Sequence, residues 1–131
     1  MTNTVIQLID TVDAPTPPGP FSHCSRVGPW VFTSGMGGLD PKTGQVVSDD
    51  VVEQTRQSIR NVEVILASAG CGLEDVVKAV VFLTDMADFP VVNQVMAEYF
   101  SEPYPARAAI GVAALPKGAG VEMDAVVELG G

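Results

Sequence analysis

The stretch "ARAAIGVAALPKGAGVEMDAVVE", residues 106–128, decides the fold. Residues 106–112 and 121–128 predict two strands, and "ALPKGAG" between them has the proline and glycines typical of a connection. In the second strand hydrophobic residues alternate with others, so that Val121 and Glu122 point to opposite sides. This alternation indicates a strand that packs one face on a hydrophobic core.

Three segments upstream of this stretch also predict strands. Residues 4–9 form a short apolar run, and residues 30–35 are aromatic and β-branched. Residues 75–83 form a nearly continuous apolar run of strand length, which predicts a central strand. The segment "DAPTPPGP", residues 13–20, predicts a rigid irregular loop because of its prolines.

Two segments have helical periodicity. The first begins at Asp50, a good N-cap residue, with Glu53 placed to complete a capping box and Gly70 placed to end the helix. A second helix begins near Asp88, and Pro90 is tolerated in its first turn. Residues on one face of the first helix recur in steps of three and four; they are Val52, Thr55, Ile59, Val62, Leu66 and Ala69.

The order of these segments predicts the fold class. Strand, strand, helix, strand, helix, strand, strand indicates an α+β domain, with one mixed β-sheet and two helices packed on one face. A length of 131 residues fits one domain that spans residues 1–131. By alternation, Arg107, Ala109 and Gly111 share one side of their strand. We expect Arg107 and Glu122 to share the sheet face without helices, and a second copy of the chain to cover that face.

Composition excludes several classes of function. The net charge of −9 argues against binding to nucleic acid or an anionic membrane. No apolar run reaches the length of a membrane span, and no signal peptide is visible, so a cytoplasmic location is expected. Cys24 and Cys71 lack metal-ligand spacing and are expected to be packing residues. We therefore expect no metal.

Arg107 and Glu122 are the candidates for chemistry. Small neighbours leave a hollow beside the Arg107 guanidinium, which suits bidentate capture of a carboxylate. The alternative is an ordinary ion pair with Glu122 or Asp124. Glu122 can hold a water or transfer a proton; alternatively it is a solvated or ion-paired strand residue. His23, the single histidine, is expected to line a pocket or lie at the surface.

The chain resembles the Rid family, the reactive intermediate deaminases, also called the YjgF/UK114 family. The resemblance runs nearly end to end, through "GPFS", "FTSGMGGLDPKTGQVV", "QTRQSIRNVEVILASAG" and "DVVKAVVFLTDMADFPVVNQVMAEYF". Its most specific part is "PAR" followed by "LPKGAGVEMDA". The resemblance implies a chorismate-mutase-like fold, assembled as a homotrimer with the sheets in a central barrel and three clefts between subunits.

The resemblance also implies an activity, the hydrolysis of reactive enamines or imines such as 2-aminoacrylate to 2-keto acids and ammonia. No cofactor or metal is needed for it. Arg107 would grip the substrate carboxylate, and Glu122 would orient or activate the water. The residues that would contact the substrate are Phe21, Ser34, Gly35, Asn93 and Ala109.

Several positions depart from the pattern of the deaminating branch. Phe21 replaces a tyrosine, His23 a glutamine and Met36 the glutamine of "SGQ", while Ala108 and Ala109 replace polar or small residues after the arginine. These changes make the pocket less polar. A larger or more apolar imino acid, or an aminomuconate-like catabolic substrate, is therefore an alternative to 2-aminoacrylate. A non-catalytic protein that binds small carboxylates is a further alternative.

Overall fold

The computed structural model describes residues 5–130, in which seven strands form one mixed sheet beside two α-helices. This confirms the α+β class. The strands are β1 (Ile6–Ile9), β2 (Cys24–Val27), β3 (Trp30–Thr33), β4 (Met36–Gly37), β5 (Val76–Leu83), β6 (Ala106–Gly111) and β7 (Val121–Glu128). The helices are α1 (Val51–Ser68) and α2 (Phe89–Tyr99).

The central strand of the sheet is β7. The strand order is β1-β2-β3-β7-β5-β6, and β4 also pairs with β7. The pair β5 and β6 is parallel and is connected through α2, whereas the other pairs are antiparallel. Strands β2 and β4 were not predicted from the sequence. The strand predicted at residues 4–9 is present from Ile6, and Thr4 lies outside the described residues.

Helix α1 begins as predicted but is capped differently. The Asp50 carboxylate accepts a hydrogen bond from Val52 N–H at 2.9 Å, which confirms Asp50 as the N-cap. The backbone N–H of Asp50 donates to Ser48 Oγ at 3.1 Å, so the predicted capping box with Glu53 is wrong. In a capping box the Glu53 carboxylate would accept a hydrogen bond from the Asp50 N–H, but Ser48 already accepts that bond. The helix ends before Gly70, which has φ of +83°.

The core face of α1 carries polar side chains as well as the predicted apolar stripe. Ser58 Oγ donates to the Met36 carbonyl at 2.6 Å. Asn61 Nδ2 donates to the Gly37 and Leu39 carbonyls at 3.1 and 3.0 Å. The buried side chains of both helices and of the sheet form a single core cluster, so both helices cover the same sheet face. The polar pairs fix the segment around β4 against α1.

Strand β7 alternates as predicted, with Val121, Met123, Ala125 and Val127 buried in the core. The expectation that Arg107 shares the opposite face with Glu122 is wrong. Arg107 pairs with Ala79 of β5, whose other partner is the buried Ala125, so Arg107 lies on the helix-covered side.

The error has a physical cause. Alternation shows which residues share a side of a strand, but it does not show which side meets the core. Strand β6 is an edge strand with small residues on both sides, and the sheet edge leaves space for Arg107 beside α2.

The sheet face opposite the helices exposes large apolar side chains beside the carboxylates of β7. Phe82 and Glu122 pair across β5 and β7 on this face, and Ile110 is the β6 partner of Phe82. The exposed fractions of Trp30, Phe32 and Ile110 are 39%, 45% and 44%. Large exposed apolar side chains grouped on one sheet face are typical of an interface. In the part of the chain that the structure describes, neither helix combines the length and the apolar character needed to span a membrane.

Candidate functional site

Two separate clefts contain all the predicted site residues except Ala109. The first, called here the Glu122 cleft, has a volume of about 340 Å³. Strand β7 presents Glu122 beside the β4 segment, where its Cα partner is Gly37. The lining residues are Pro15, Thr16, Pro17, Pro18, Phe21, Ser34, Gly35, Met36, Gly37, Leu39, Pro116, Lys117 and Glu122.

The Glu122 carboxylate lies directly against the backbone of Gly35. A Cβ atom added at Gly35 would lie 2.5 Å from Glu122 Oε2 and 2.9 Å from its carboxyl carbon. A side chain at this position would displace the Glu122 carboxyl group, so glycine allows the close approach between the two. The Gly35 main chain and the Glu122 carboxyl therefore form one wall of the cleft.

Burial raises the pKa of the Glu122 carboxyl above its usual range, and the nearby Asp124 carboxyl raises it further. The apolar cleft solvates the charged form poorly, and a like charge on the same strand face disfavours it. A raised pKa makes the carboxylate a stronger base than an exposed glutamate and brings its protonated and charged forms closer in energy near neutral pH. Glu122 thus has the environment of a proton-transfer group.

Ser34 and Phe21 also belong to the Glu122 cleft. Ser34 Oγ donates to the Ser22 carbonyl at 2.6 Å, and Ser34 N–H donates to the His23 carbonyl at 2.8 Å. These bonds hold Ser34 in place. The Phe21 ring is 44% exposed and extends the apolar wall.

The second cleft, called here the Arg107 cleft, has a volume of about 360 Å³. Arg107 Nη1 donates to Asn93 Oδ1 at 2.6 Å and lies 3.6 Å from Met96 Sδ. The guanidinium carbon lies 5.3 Å from the centroid of the Phe89 ring, within the range of a cation–π contact. The lining residues are Ala79, Asn93, Met96, Ala97, Phe100, Tyr104, Pro105 and Arg107.

The alternative that Arg107 forms an ion pair with Glu122 or Asp124 is wrong within the described chain. Between residues 5 and 130, Arg56 forms an ion pair with Glu98, and His23 Nδ1 lies 3.7 Å from Asp10 Oδ1. The sheet separates Arg107 from Glu122, since the two side chains point to opposite faces. Neutral partners hold the guanidinium, and its charge remains available for an anion.

The structure places three further residues of the sequence analysis outside both clefts. Ala109 lies on the Arg107 side of β6 but lines neither cleft. His23 is 1% exposed and lies behind the Glu122 cleft, so the expectation of a pocket-lining or surface histidine is wrong.

Cys24 is buried, and burial raises the pKa of its thiol to about 11, as expected of a packing residue. Among the described residues no group of three acidic, histidine or cysteine side chains is placed to bind a metal.

The sequence reasoning missed two walls of the clefts. Lys117 lines the Glu122 cleft from a turn in which it has φ of +63°, and Tyr104 lines the Arg107 cleft. Lys117 lies in the "LPKGAG" connection, whose sequence predicts only a link between two strands. Its strained backbone could not be recognised because the neighbouring Gly118 is the residue expected to adopt positive φ.

Comparison with known proteins assigns the chain to a family. The family model described as Endoribonuclease L-PSP matches residues 11–129. RidA from the Antarctic bacterium Psychrobacter sp. has a solved structure that superimposes with a TM-score of 0.91 at 44% identity, covering 94% of this chain and 99% of RidA. The chain belongs to the Rid family.

Other Rid proteins are similar over the whole length. The 2-iminobutanoate/2-iminopropanoate deaminase of Capra hircus is 45% identical over 130 residues, which cover 99% of this chain and 95% of the Capra hircus protein. The structure of E. coli TdcF with bound serine has a TM-score of 0.89 at 37% identity and covers 95% of this chain and 99% of TdcF. These Rid relatives include both a named deaminase and a protein with a bound amino acid.

Proposed function

We propose that this Rid protein is an imine deaminase, which hydrolyses small 2-imino acids and their enamine tautomers to 2-keto acids and ammonia. The observation that carries the proposal is the Arg107 guanidinium, which Asn93 and the Phe89 ring hold in an open cleft with no carboxylate partner among residues 5–130. Such a group is a receptor for a substrate carboxylate. Glu122, with its raised pKa, is the group that handles protons.

The two groups are sufficient for the reaction. Water attacks the carbon of the C=N bond, a C–O bond forms, and the nitrogen takes up a proton. The C–N bond of the resulting carbinolamine then breaks, ammonia leaves, and the C=O bond forms. The Glu122 carboxylate accepts a proton from the attacking water and gives it to the imine nitrogen. It then accepts the hydroxyl proton of the carbinolamine and gives it to the amino group as ammonia leaves, while Arg107 fixes the electrophilic carbon in position.

One chain does not bring these groups together, because Arg107 and Glu122 lie on opposite sides of the sheet. We propose that the chain forms a homotrimer in which the Arg107 cleft of one copy meets the Glu122 cleft of the next. The open apolar face with Trp30, Phe32 and Ile110 supports this assembly, since association removes that surface from water. In the trimer the sheets would form the chorismate-mutase-like barrel.

The names of the relatives support the same reaction. The Capra hircus relative is named as a 2-iminobutanoate/2-iminopropanoate deaminase, and TdcF was solved with serine, which carries an α-carboxylate. Substrate contacts are proposed for Phe21, Ser34 and Gly35 from one copy and for Asn93 from the next; Ala109 would act through the space it leaves near Arg107.

The substrate that fits this cleft is more apolar than 2-aminoacrylate. Phe21 and Met36 supply hydrocarbon surface to the Glu122 cleft, next to the prolines of residues 15–18. We therefore propose a preference for 2-imino acids with larger apolar side chains, with an aminomuconate-like catabolic imine as a second candidate. Burial of each additional methylene would contribute about 0.8 kcal/mol.

Two other functions remain as outcomes of the test. A non-catalytic carboxylate-binding protein would use the same Arg107 cleft and gain stability from the ligand without turnover. The description of the family model names a ribonuclease, but the net charge of −9 opposes binding of an RNA polyanion.

The deciding experiment measures ammonia release from a panel of imines that an amino acid oxidase generates in situ. We expect hydrolysis above the spontaneous rate for the wild-type protein. Arg107→Ala and Glu122→Gln should each lose activity while keeping the oligomeric state. No acceleration for any imine, together with stabilisation by pyruvate or serine, would establish the non-catalytic function. Cleavage of a single-stranded RNA in a parallel assay would establish the ribonuclease.

A further inference from the structure

His23 uses all four of its polar atoms, and each atom bonds to a different residue. Its backbone N–H donates to Asp10 Oδ1 at 2.9 Å, and its carbonyl accepts from Ser34 N–H at 2.8 Å. Its Nδ1 lies 3.1 Å from Thr11 N, and its Nε2 lies 2.7 Å from the Pro15 carbonyl oxygen. The side chain is almost fully buried.

The partners determine the tautomer of the imidazole. The N–H of Thr11 can only donate, so Nδ1 must be the unprotonated acceptor. The carbonyl of Pro15 can only accept, so Nε2 carries the hydrogen. The Asp10 carboxylate, 3.7 Å from Nδ1, is occupied by the His23 backbone N–H.

The loop that His23 holds has few bonds of its own. Residues 11–22 include four prolines, which lack a backbone N–H, and this described segment contains one backbone-to-backbone hydrogen bond, from Phe21 N–H to Gly19 O at 2.9 Å. The imidazole therefore replaces the missing backbone bonds. Residues 15–18 of the same loop form a wall of the Glu122 cleft, together with Gly35.

We propose that His23 is a positioning residue that determines specificity by holding the 15–18 wall of the Glu122 cleft through its Nε2–H bond to Pro15. This inference rests on the proposed function. The wall is the part of the cleft that a substrate side chain would contact, whereas Arg107 and Glu122 bind the carboxylate and water. Displacement of the wall therefore weakens binding of imines with large apolar side chains and leaves the chemical step intact.

The test uses two variants that each retain one of the two hydrogen bonds of the imidazole. In His23→Gln the amide nitrogen can occupy the Nε2 position and keep the bond to Pro15; in His23→Asn the amide oxygen can occupy the Nδ1 position and keep the bond to Thr11. For the imine derived from leucine we expect KM close to the wild-type value in His23→Gln and about fivefold higher in His23→Asn, the effect of one lost neutral hydrogen bond. The kcat should be unchanged, and KM for 2-iminopropanoate should change less.

A second measurement needs no turnover. Because the chain has one histidine, the imidazole ¹⁵N signals of the tag-free protein are unambiguous and should show hydrogen on Nε2 alone. Hydrogen on Nδ1, or equal KM values for His23→Gln and His23→Asn with the leucine-derived imine, overturns the inference. If the wild-type protein hydrolyses no imine, the proposed function fails, and the ¹⁵N spectrum together with Thr11 amide exchange still tests the His23 bonds.

Discussion

Mixing two inactive variants should restore activity if the catalytic groups come from different copies. Arg107→Ala removes the carboxylate receptor, and Glu122→Gln removes the proton-transfer group. Loss of two charge-assisted hydrogen bonds at about 1.5 kcal/mol each corresponds to a fall in kcat/KM of about 100-fold for Arg107→Ala. Each variant keeps the half of the site that the other lacks, because the two side chains lie on opposite faces of one sheet.

The expected recovery follows from random assembly. Each site takes Arg107 from one copy and Glu122 from its neighbour, and in an equal mixture each is intact in half of the copies. About one quarter of the sites then contain both intact groups, so co-refolded mixtures should recover about one quarter of the wild-type activity. If one copy supplied both groups, every site would remain defective.

The assay is ammonia release by the co-refolded mixture, with the oligomeric state followed by sedimentation. The control mixture combines Arg107→Ala with Asn93→Ala. These two side chains bond within one copy, at 2.6 Å, so no site in that mixture regains both groups and no recovery is expected. Mixed trimers whose activity equals the sum of the two variants would refute the assignment of the two groups to different copies.

Two further predictions concern the Glu122 carboxyl. Since Asp124 contributes to the raised pKa of Glu122, Asp124→Asn should lower that pKa. On the acid limb of the kcat/KM profile, Glu122 becomes protonated and loses its function as a base. That limb should therefore move to lower pH. Gly35→Ala should reduce kcat/KM by about 100-fold with little change in Tm, because the new methyl group would lie 2.5 Å from the carboxylate and displace it.

Each of these two variants has a matched control. Asp13→Asn removes a carboxylate from an exposed turn and should leave the pH profile in place. In Gly120→Ala the added methyl group meets its nearest atom at 3.6 Å, an ordinary contact, and activity should be retained. An unmoved acid limb in Asp124→Asn, or full activity in Gly35→Ala, would contradict the role given to Glu122.

The sequence predicted the elements of this fold better than their orientation. The alternation of β7 and the periodicity of α1 are strong because each element buries one complete face, and both were confirmed. Strands β2 and β4 were missed since they have only four and two residues, too few for a periodic pattern. Short strands are recognisable mainly through their partners.

For the candidate site, the residues could be predicted but not their grouping. Gly35, Phe21 and Glu122 line one cleft, and Arg107 and Asn93 line the other. Their division between two clefts depends on the register of β6 against β5, which the small residues of β6 do not specify. The buried position of His23 could not be predicted either, because its partners are backbone atoms and leave no side-chain pattern in the sequence.

The polar side chains on the core face of α1 have a consequence for the dynamics of the site. Strand β4 is too short to hold itself in the sheet, and Ser58 and Asn61 bind the carbonyls of Met36 and Gly37 as a neighbouring strand would. The part of the Glu122 cleft wall that β4 forms is thereby joined to the longest helix. It should open only when that helix unfolds, as part of one cooperative unit with the core, so that thermal fluctuation does not distort the wall separately.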